Sequence, residues 1–337
     1  MSLAVIVAIA MFAGILLYAL FGGADFGSGF FDLTAGGSER GGELRVLIDH
    51  SIGPVWEANH VWLIYILVIW WTGFPETFAA ATTTLTLPLA LALVGIVLRG
   101  ASFAFRKYSA TLAQARLFGA VFAGSSLITP FFLGAAAGAV ASGRVPAQGN
   151  GDQLGSWLNP TSLFGGLIAV GTCAFLAGAF LTADASRSRH DALAEVLRIR
   201  TIGVGIATGI VVFAALIPIR NDSPTLSDRL LGPAAPLIVI SAAAGLATLV
   251  MLHRRSYSSA RFAAVAAVAS VVIGWGVAQY PWMLVDEVRI ADAAGAPATL
   301  AGLLVVVALA VVLVVPALGY LFWLTQSDRW TDAEHAA

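Results

Sequence analysis

Charge is what this sequence has least of. Among 337 residues only 11% are Asp, Glu, Lys or Arg, while 59% are apolar, against averages of about 25% and about 45–50% in soluble domains. A chain with half the usual charge is not solvated as a water-soluble globule, and lipid is its natural solvent. Cysteine is nearly absent: Cys173 stands alone in an apolar run, which excludes a disulfide framework, a cysteine zinc site and a cysteine-ligated cluster within this chain. There is no excess of either sign, since 18 Lys plus Arg face 19 Asp plus Glu. Nothing here draws the chain to nucleic acid or another polyanion.

What fills the sequence is apolar runs long enough to cross a bilayer, and inside hydrocarbon such runs must be helical to satisfy their own backbone. Nine are marked, at about residues 3–33, 52–72, 78–98, 117–141, 161–182, 201–219, 234–252, 262–283 and 299–324. The first lacks a positively charged leader and a convincing cleavage site, so it reads as a retained helix rather than a signal peptide. Positive charge is uneven across the connections: fourteen of the 18 Lys and Arg fall in or beside the loops after the odd-numbered spans. Because Lys and Arg in short loops stay on the cytoplasmic side, the N-terminus is expected outside and the C-terminus in the cytoplasm. The reading is an all-α membrane protein, one polytopic transmembrane domain over 1–337 without a soluble domain.

Residues that break the apolar pattern are the informative ones, because a charge at membrane depth costs several kcal/mol unless paired or hydrated. Asp25 lies in Gly-Gly-Ala-Asp-Phe-Gly-Ser-Gly near the cytoplasmic end of the first span, and Glu57 lies in Pro-Val-Trp-Glu-Ala-Asn-His-Val-Trp at the start of the second. Both are expected at similar depth, with Arg99 and Arg106 at the end of the third span within reach of both. One reading makes these residues structural ion pairs locking three helices together, a task suited to the guanidinium fork. The other makes the acids an entry for cytoplasmic protons, with Asn59 and Ser28 as further hydrogen-bonding groups. The two are compatible.

Of five histidines only His60 is well inside a span, and a lone buried histidine reads first as a packing or network residue. With the methionines on different helices and no suitable histidine at an obvious depth, a multi-haem centre built from this chain alone is not expected. Most of the nine tryptophans fall near span ends, as an interfacial belt would place them. Trp56 and Trp62 flank Glu57 and could instead wall it from lipid. In Gln279-Tyr280-Pro281-Trp282 the proline is expected to stop the eighth helix.

The segments Gly23-Ala24-Asp25-Phe26-Gly27, Ser51 through Ile64, and Leu98-Arg99-Gly100 through Arg106 resemble, in order and spacing, the N-terminal third of subunit II of the cytochrome bd-type quinol oxidases. Weaker similarity continues through Thr129-Pro130-Phe131-Phe132-Leu133-Gly134, Phe180-Leu181-Thr182-Ala183 and Gln279-Tyr280-Pro281. Ala24 and Ala58 depart from the phenylalanine and glycine usual there. The resemblance implies two four-helix bundles plus one peripheral helix. It also implies a partner, a pseudosymmetric subunit I holding all the haems, two of b type and one of d or b type, together with the quinol site.

Quinol and dioxygen would be substrates of the complex, in a bacterial cytoplasmic membrane, with a small accessory subunit and a structural quinone in some members. The family's proton pathway maps its acidic positions onto Asp25 and Glu57, with Asn59 and Trp56 as neighbours and Arg99 and Arg106 as ion-pair support. The competing reading is a stand-alone secondary transporter or channel coupled through Asp25 and Glu57, although the paired discontinuous helices of many transporters are not found.

Overall fold

The computed structural model describes residues 2–37, 41–52 and 56–325. The chain is helical almost throughout: α1 (Leu3–Leu17), a π-helical turn (Tyr18–Gly22), α2 (Gly23–Leu33), α3 (Gly42–Ile52), α4 (Trp56–Gly73), α5 (Pro75–Thr84), α6 (Thr86–Lys107) and α7 (Leu112–Ala141) form the first half. The second half comprises α8 (Pro160–Arg187), α9 (Asp191–Ala214), α10 (Leu216–Asp222), α11 (Pro224–Leu231), α12 (Ala235–His253), α13 (Tyr257–Gln279), a hairpin of β1 (Trp282–Leu284) and β2 (Val288–Arg289), and α14 (Pro297–Thr325). Among the described residues eight helices are long and apolar enough to span a membrane, and nine when α3 and α4, which meet at 53°, count as one.

Several expected boundaries move, each for a local reason. The run at 78–98 is two helices: Leu85 leaves helical geometry between α5 and α6, and α5 begins one residue after Phe74 with Pro75 in its first turn. The sixth span begins ten residues earlier than expected, at Asp191, because Ala194 and Leu197 pack into a core with Phe31, Leu44 and Phe122. It breaks again at Ala215, three residues before Pro218, whose ring cannot continue the ladder. The eighth helix ends at Gln279, ahead of Pro281, as expected.

The first four spans (α1–α2, α4, α6, α7) and the next four (α8, α9, α12, α13) make two groups, with α7 packed on α8 and α2 inserted against both. Helix α14 lies outside, against α1 and α4, where Leu300 and Leu303 join Val7, Met11 and Ile66. Lipid is as apolar as leucine, so close backbone approach rather than hydrophobic exclusion holds these helices together. At the α7–α8 crossing Gly134 and Gly165 leave so little room that a Cβ on either would stand within 2.5 Å of the other's carbonyl oxygen or its neighbours.

The tryptophan belt is only partial. Trp71 and Trp323 are exposed, whereas Trp62 of α4 and Trp157, in the loop before α8, are buried. In the long loop after α7, backbone N–H groups of Gly155 and Leu154 donate to Asp152 and hold its carboxyl below the usual carboxylate range.

Candidate functional site

The π-helical turn places Asp25 three residues into α2, facing α6, and its side chain is only 2% exposed. Arg99 of α6 meets it from inside the bundle: Nη2 donates to Oδ1 at 2.5 Å and to the Asp25 carbonyl oxygen at 3.3 Å. Nε of Arg99 donates to Ser126 Oγ of α7 at 3.1 Å, and Ser126 can accept because its own hydrogen goes to the Phe122 carbonyl. The guanidinium lies between two rings, 4.9 Å from Phe26 and 5.1 Å from Phe122. Arginine suits this position because it offers a planar fork and two stacking faces together.

The other carboxylate oxygen, Asp25 Oδ2, is buried and has no hydrogen-bond partner among the described residues. Asn59 and His60 of α4 are close enough for their side chains to act on this carboxylate. The Asn59 amide itself donates to the Phe21 carbonyl oxygen at 3.4 Å. His60 has Nδ1 at 3.5 Å from the Tyr18 hydroxyl and packs among the rings of Tyr18, Phe26 and Trp56.

A second layer lies one step toward the arginine-rich end. Asp32, two turns after Asp25, receives Arg106 Nη1 at 2.5 Å and Arg45 Nε at 2.8 Å, and Arg106 also pairs with Asp49 at 2.5 Å. Sequence reasoning singled out neither Asp32 nor Asp49. A signal for Asp32 was present: Asp25 and Asp32 are seven apart on one span, Arg99 and Arg106 seven apart on another, and each pair is separated by 74 residues. Two helices running side by side turn such equal spacings into a two-rung ladder. An Asp32→Asn variant, by taking the charge from a carboxylate that serves two arginines, is expected to cost about 2–3 kcal/mol. A lowered Tm of the purified protein would show it.

Two expected contacts are corrected. Arg106 reaches neither Asp25 nor Glu57, because it lies two turns beyond Arg99 on the same helix face, opposite Asp32. Glu57 does not join Asp25: it is exposed, with no ion pair or hydrogen bond among the described residues. On α4 the residues Trp56, Asn59 and His60 face inward, and helical periodicity turns Glu57 the other way. There it heads an exposed stripe of Val61, Ile64, Val68 and Trp71. Trp56 packs on Phe103 and lies over Gly100 of α6, so it walls the Asp25 layer rather than Glu57.

A sequence model of the cytochrome bd terminal oxidase subunit II family matches residues 3–325. The chain belongs to this family. Cytochrome bd ubiquinol oxidase subunit 2 of Bacillus subtilis (strain 168) is 29% identical over 220 residues, which cover 65% of this chain and 64% of that relative. Cytochrome bd-I ubiquinol oxidase subunit 2 of Escherichia coli (strain K12) is 30% identical over 173 residues, 48% of this chain and 44% of the relative. The matched stretches thus span under two thirds of either relative. The structure of bd oxidase from Geobacillus thermodenitrificans shares the fold, with a TM-score of 0.81 over 97% of this chain and 99% of that chain at 24% identity. A stand-alone transporter finds no support among these subunit II relatives.

Proposed function

We propose that this chain is the haem-free subunit II of a bd-type quinol:dioxygen oxidase. It seats a haem-bearing subunit I and carries part of the route by which cytoplasmic protons reach the site where dioxygen becomes water. The observation that carries the reading is Asp25: one oxygen is clamped by Arg99 and the other, buried, is left open. Such a carboxyl can take a proton on Oδ2 and pass it on without releasing its anchor, while Arg99 offsets the charge of the empty state. The Asn59, His60 and Tyr18 side chains beside it supply polar groups toward α4.

Family membership supports the partner, and so does the surface. The exposed stripe of α4 and the exposed Leu93, Val94, Val97 and Leu98 of α6 leave an apolar face that subunit I would cover. Glu57 at its edge would then meet its partner across that contact rather than within this chain. The haems of subunit I, two of b type and one of d or b type, would supply electron transfer and dioxygen binding. The apolar cavity of about 910 Å³ between the two helix groups, bordered by Phe175, Phe213, Leu246 and Val271, is roomy enough for the ring and first isoprene units of a structural quinone. The complex would lie in a bacterial cytoplasmic membrane with the N-terminus of this chain outside, with or without a small accessory subunit.

Mild-detergent purification of the tagged chain, followed by a visible redox difference spectrum and quinol-dependent oxygen uptake, tests the assembly. A haem-bearing partner is expected, and a colourless solitary chain would overturn the subunit reading. In an assembled Asp25→Asn variant with an unchanged spectrum, turnover is expected to fall by about a hundredfold, the lower end of the range typical of losing one positioned proton-transfer group. Unaltered turnover would remove Asp25 from the proton route.

A further inference from the structure

Among the titratable groups around Asp25, His60 of α4 has the fewest ties. Its Nδ1 stands 3.5 Å from the Tyr18 hydroxyl, at the outer limit of a hydrogen bond, and Nε2 makes none among the described residues. A histidine kept only to fill space between membrane helices would have both nitrogens satisfied or give way to an apolar ring. The rest of its surroundings is aromatic, with ring centroids of Phe26 at 6.0 Å, Tyr18 at 6.2 Å and Trp56 at 6.3 Å. Tyr18 opens the π-helical turn of the first span, a distortion often found at functional places in helices. The one charged partner left to the imidazole is Asp25, which lies close enough to feel its charge and whose Oδ2 is buried without a hydrogen bond among the described residues. His60 also stands on a border of α4. It is half-buried, between the enclosed Asn59 and the exposed stripe of Glu57, Val61 and Ile64, and residues three or four apart on a helix share a side. It therefore joins the Asp25 layer to the face assigned above to subunit I.

We infer that His60 is the group to which Asp25 gives up its proton and through which that proton leaves this chain for subunit I, an assignment that rests on the proton-route reading of Asp25. With a proton on Oδ2 the carboxyl is neutral, and the charge of the buried Arg99 stands uncompensated. Transfer of that proton to a ring nitrogen of His60, directly or over one bridging water, restores the Asp25–Arg99 ion pair. The step adds no charge: it moves the unpaired positive charge from the enclosed guanidinium to the half-buried imidazole, nearer the face where subunit I would lie. The imidazolium then releases the proton on its other nitrogen to an oxygen acceptor of the partner. One proton enters the ring and one leaves, and a change of tautomer resets it. Histidine suits this position because it takes and gives protons at two different atoms near neutral pH. The Tyr18 hydroxyl and the three rings hold the imidazole in place.

The test uses assembled complexes whose visible spectrum and Tm match those of the unaltered protein. His60→Gln keeps a polar side chain facing Tyr18 but carries no proton, and its turnover is expected to fall by about a hundredfold, as for Asp25→Asn. In His60→Ala, added imidazole should restore part of the turnover in a saturable way, and it should restore none in Asp25→Asn. Thiazole, of the same size but too weak a base to carry a proton at neutral pH, should restore none in either. Equal rescue of His60→Ala by imidazole and thiazole would show that the ring is needed only for packing and would overturn the relay. Full turnover of His60→Gln where Asp25→Asn is slow would overturn it too, while leaving the reading of Asp25 in place. Full turnover of Asp25→Asn would remove that reading and the relay with it. If His60→Ala does not assemble, His60→Gln decides the matter alone.

Discussion

An Arg99→Leu variant is expected to fail to accumulate as an assembled protein. Among the described residues Arg99 is the largest side chain less than 2% exposed, and its removal leaves the Asp25 carboxylate inside the bundle with neither counter-charge nor donor on Oδ1. Breaking one side of a buried pair costs about 3–5 kcal/mol, a large share of the stability of most folded proteins. The decisive comparison is the double variant Asp25→Asn/Arg99→Leu, which has no buried charge to strand. If stranded charge is the cause, the double variant should assemble better than Arg99→Leu, although it would lack proton-route activity. Equal loss in both would show instead that the guanidinium matters for its packing between Phe26 and Phe122. Amounts of folded protein in the membrane and Tm after purification distinguish the outcomes.

The second large effect is steric. Gly27 of α2 meets α8 so closely that an added Cβ would stand 1.9 Å from the Cys173 carbonyl oxygen and 2.3 Å from its carbon. These are backbone atoms of a packed helix, so nothing can swing aside as a flexible side chain would. Gly27→Ala must therefore separate α2 from α8 and move Asp25 relative to Arg99. A loss of about 3 kcal/mol or more is expected, together with reduced turnover in whatever protein assembles. Gly203→Ala, in α9 where nothing lies within 4 Å, serves as the control and should leave Tm unchanged or slightly raised. Matching Tm values for the two variants would refute the close-approach account.

Much of the architecture was legible before any coordinates. Low charge and long apolar runs identify the solvent as lipid, and lipid permits only helices in such runs, so the number and rough place of the spans follow. Asp25 and Arg99 were legible as partners for the same reason: each is too costly alone at that depth. Glu57 was misplaced because spacing along the chain gives depth but not direction. On α4 the inward face is taken by Trp56, Asn59 and His60, whose rings pack with Tyr18, Phe26 and Phe103, and Glu57 is left on the outer side. Arg106 was matched to the wrong acid because Asp32 sits among aromatic and small residues at the end of its span, where a carboxylate raises no alarm.

The sequence by itself determined a helical membrane chain and the residues that must be neutralised within it, since both depend on transfer of groups between water and hydrocarbon, a property of composition and of contiguous runs. Only the tertiary structure decided which oxygen of Asp25 stays open and which acids Arg106 serves. The same holds for the approach of α2 to α8 at Gly27. Those outcomes depend on how helices rotate and cross, and in a bilayer that is settled by contacts between residues far apart in the chain.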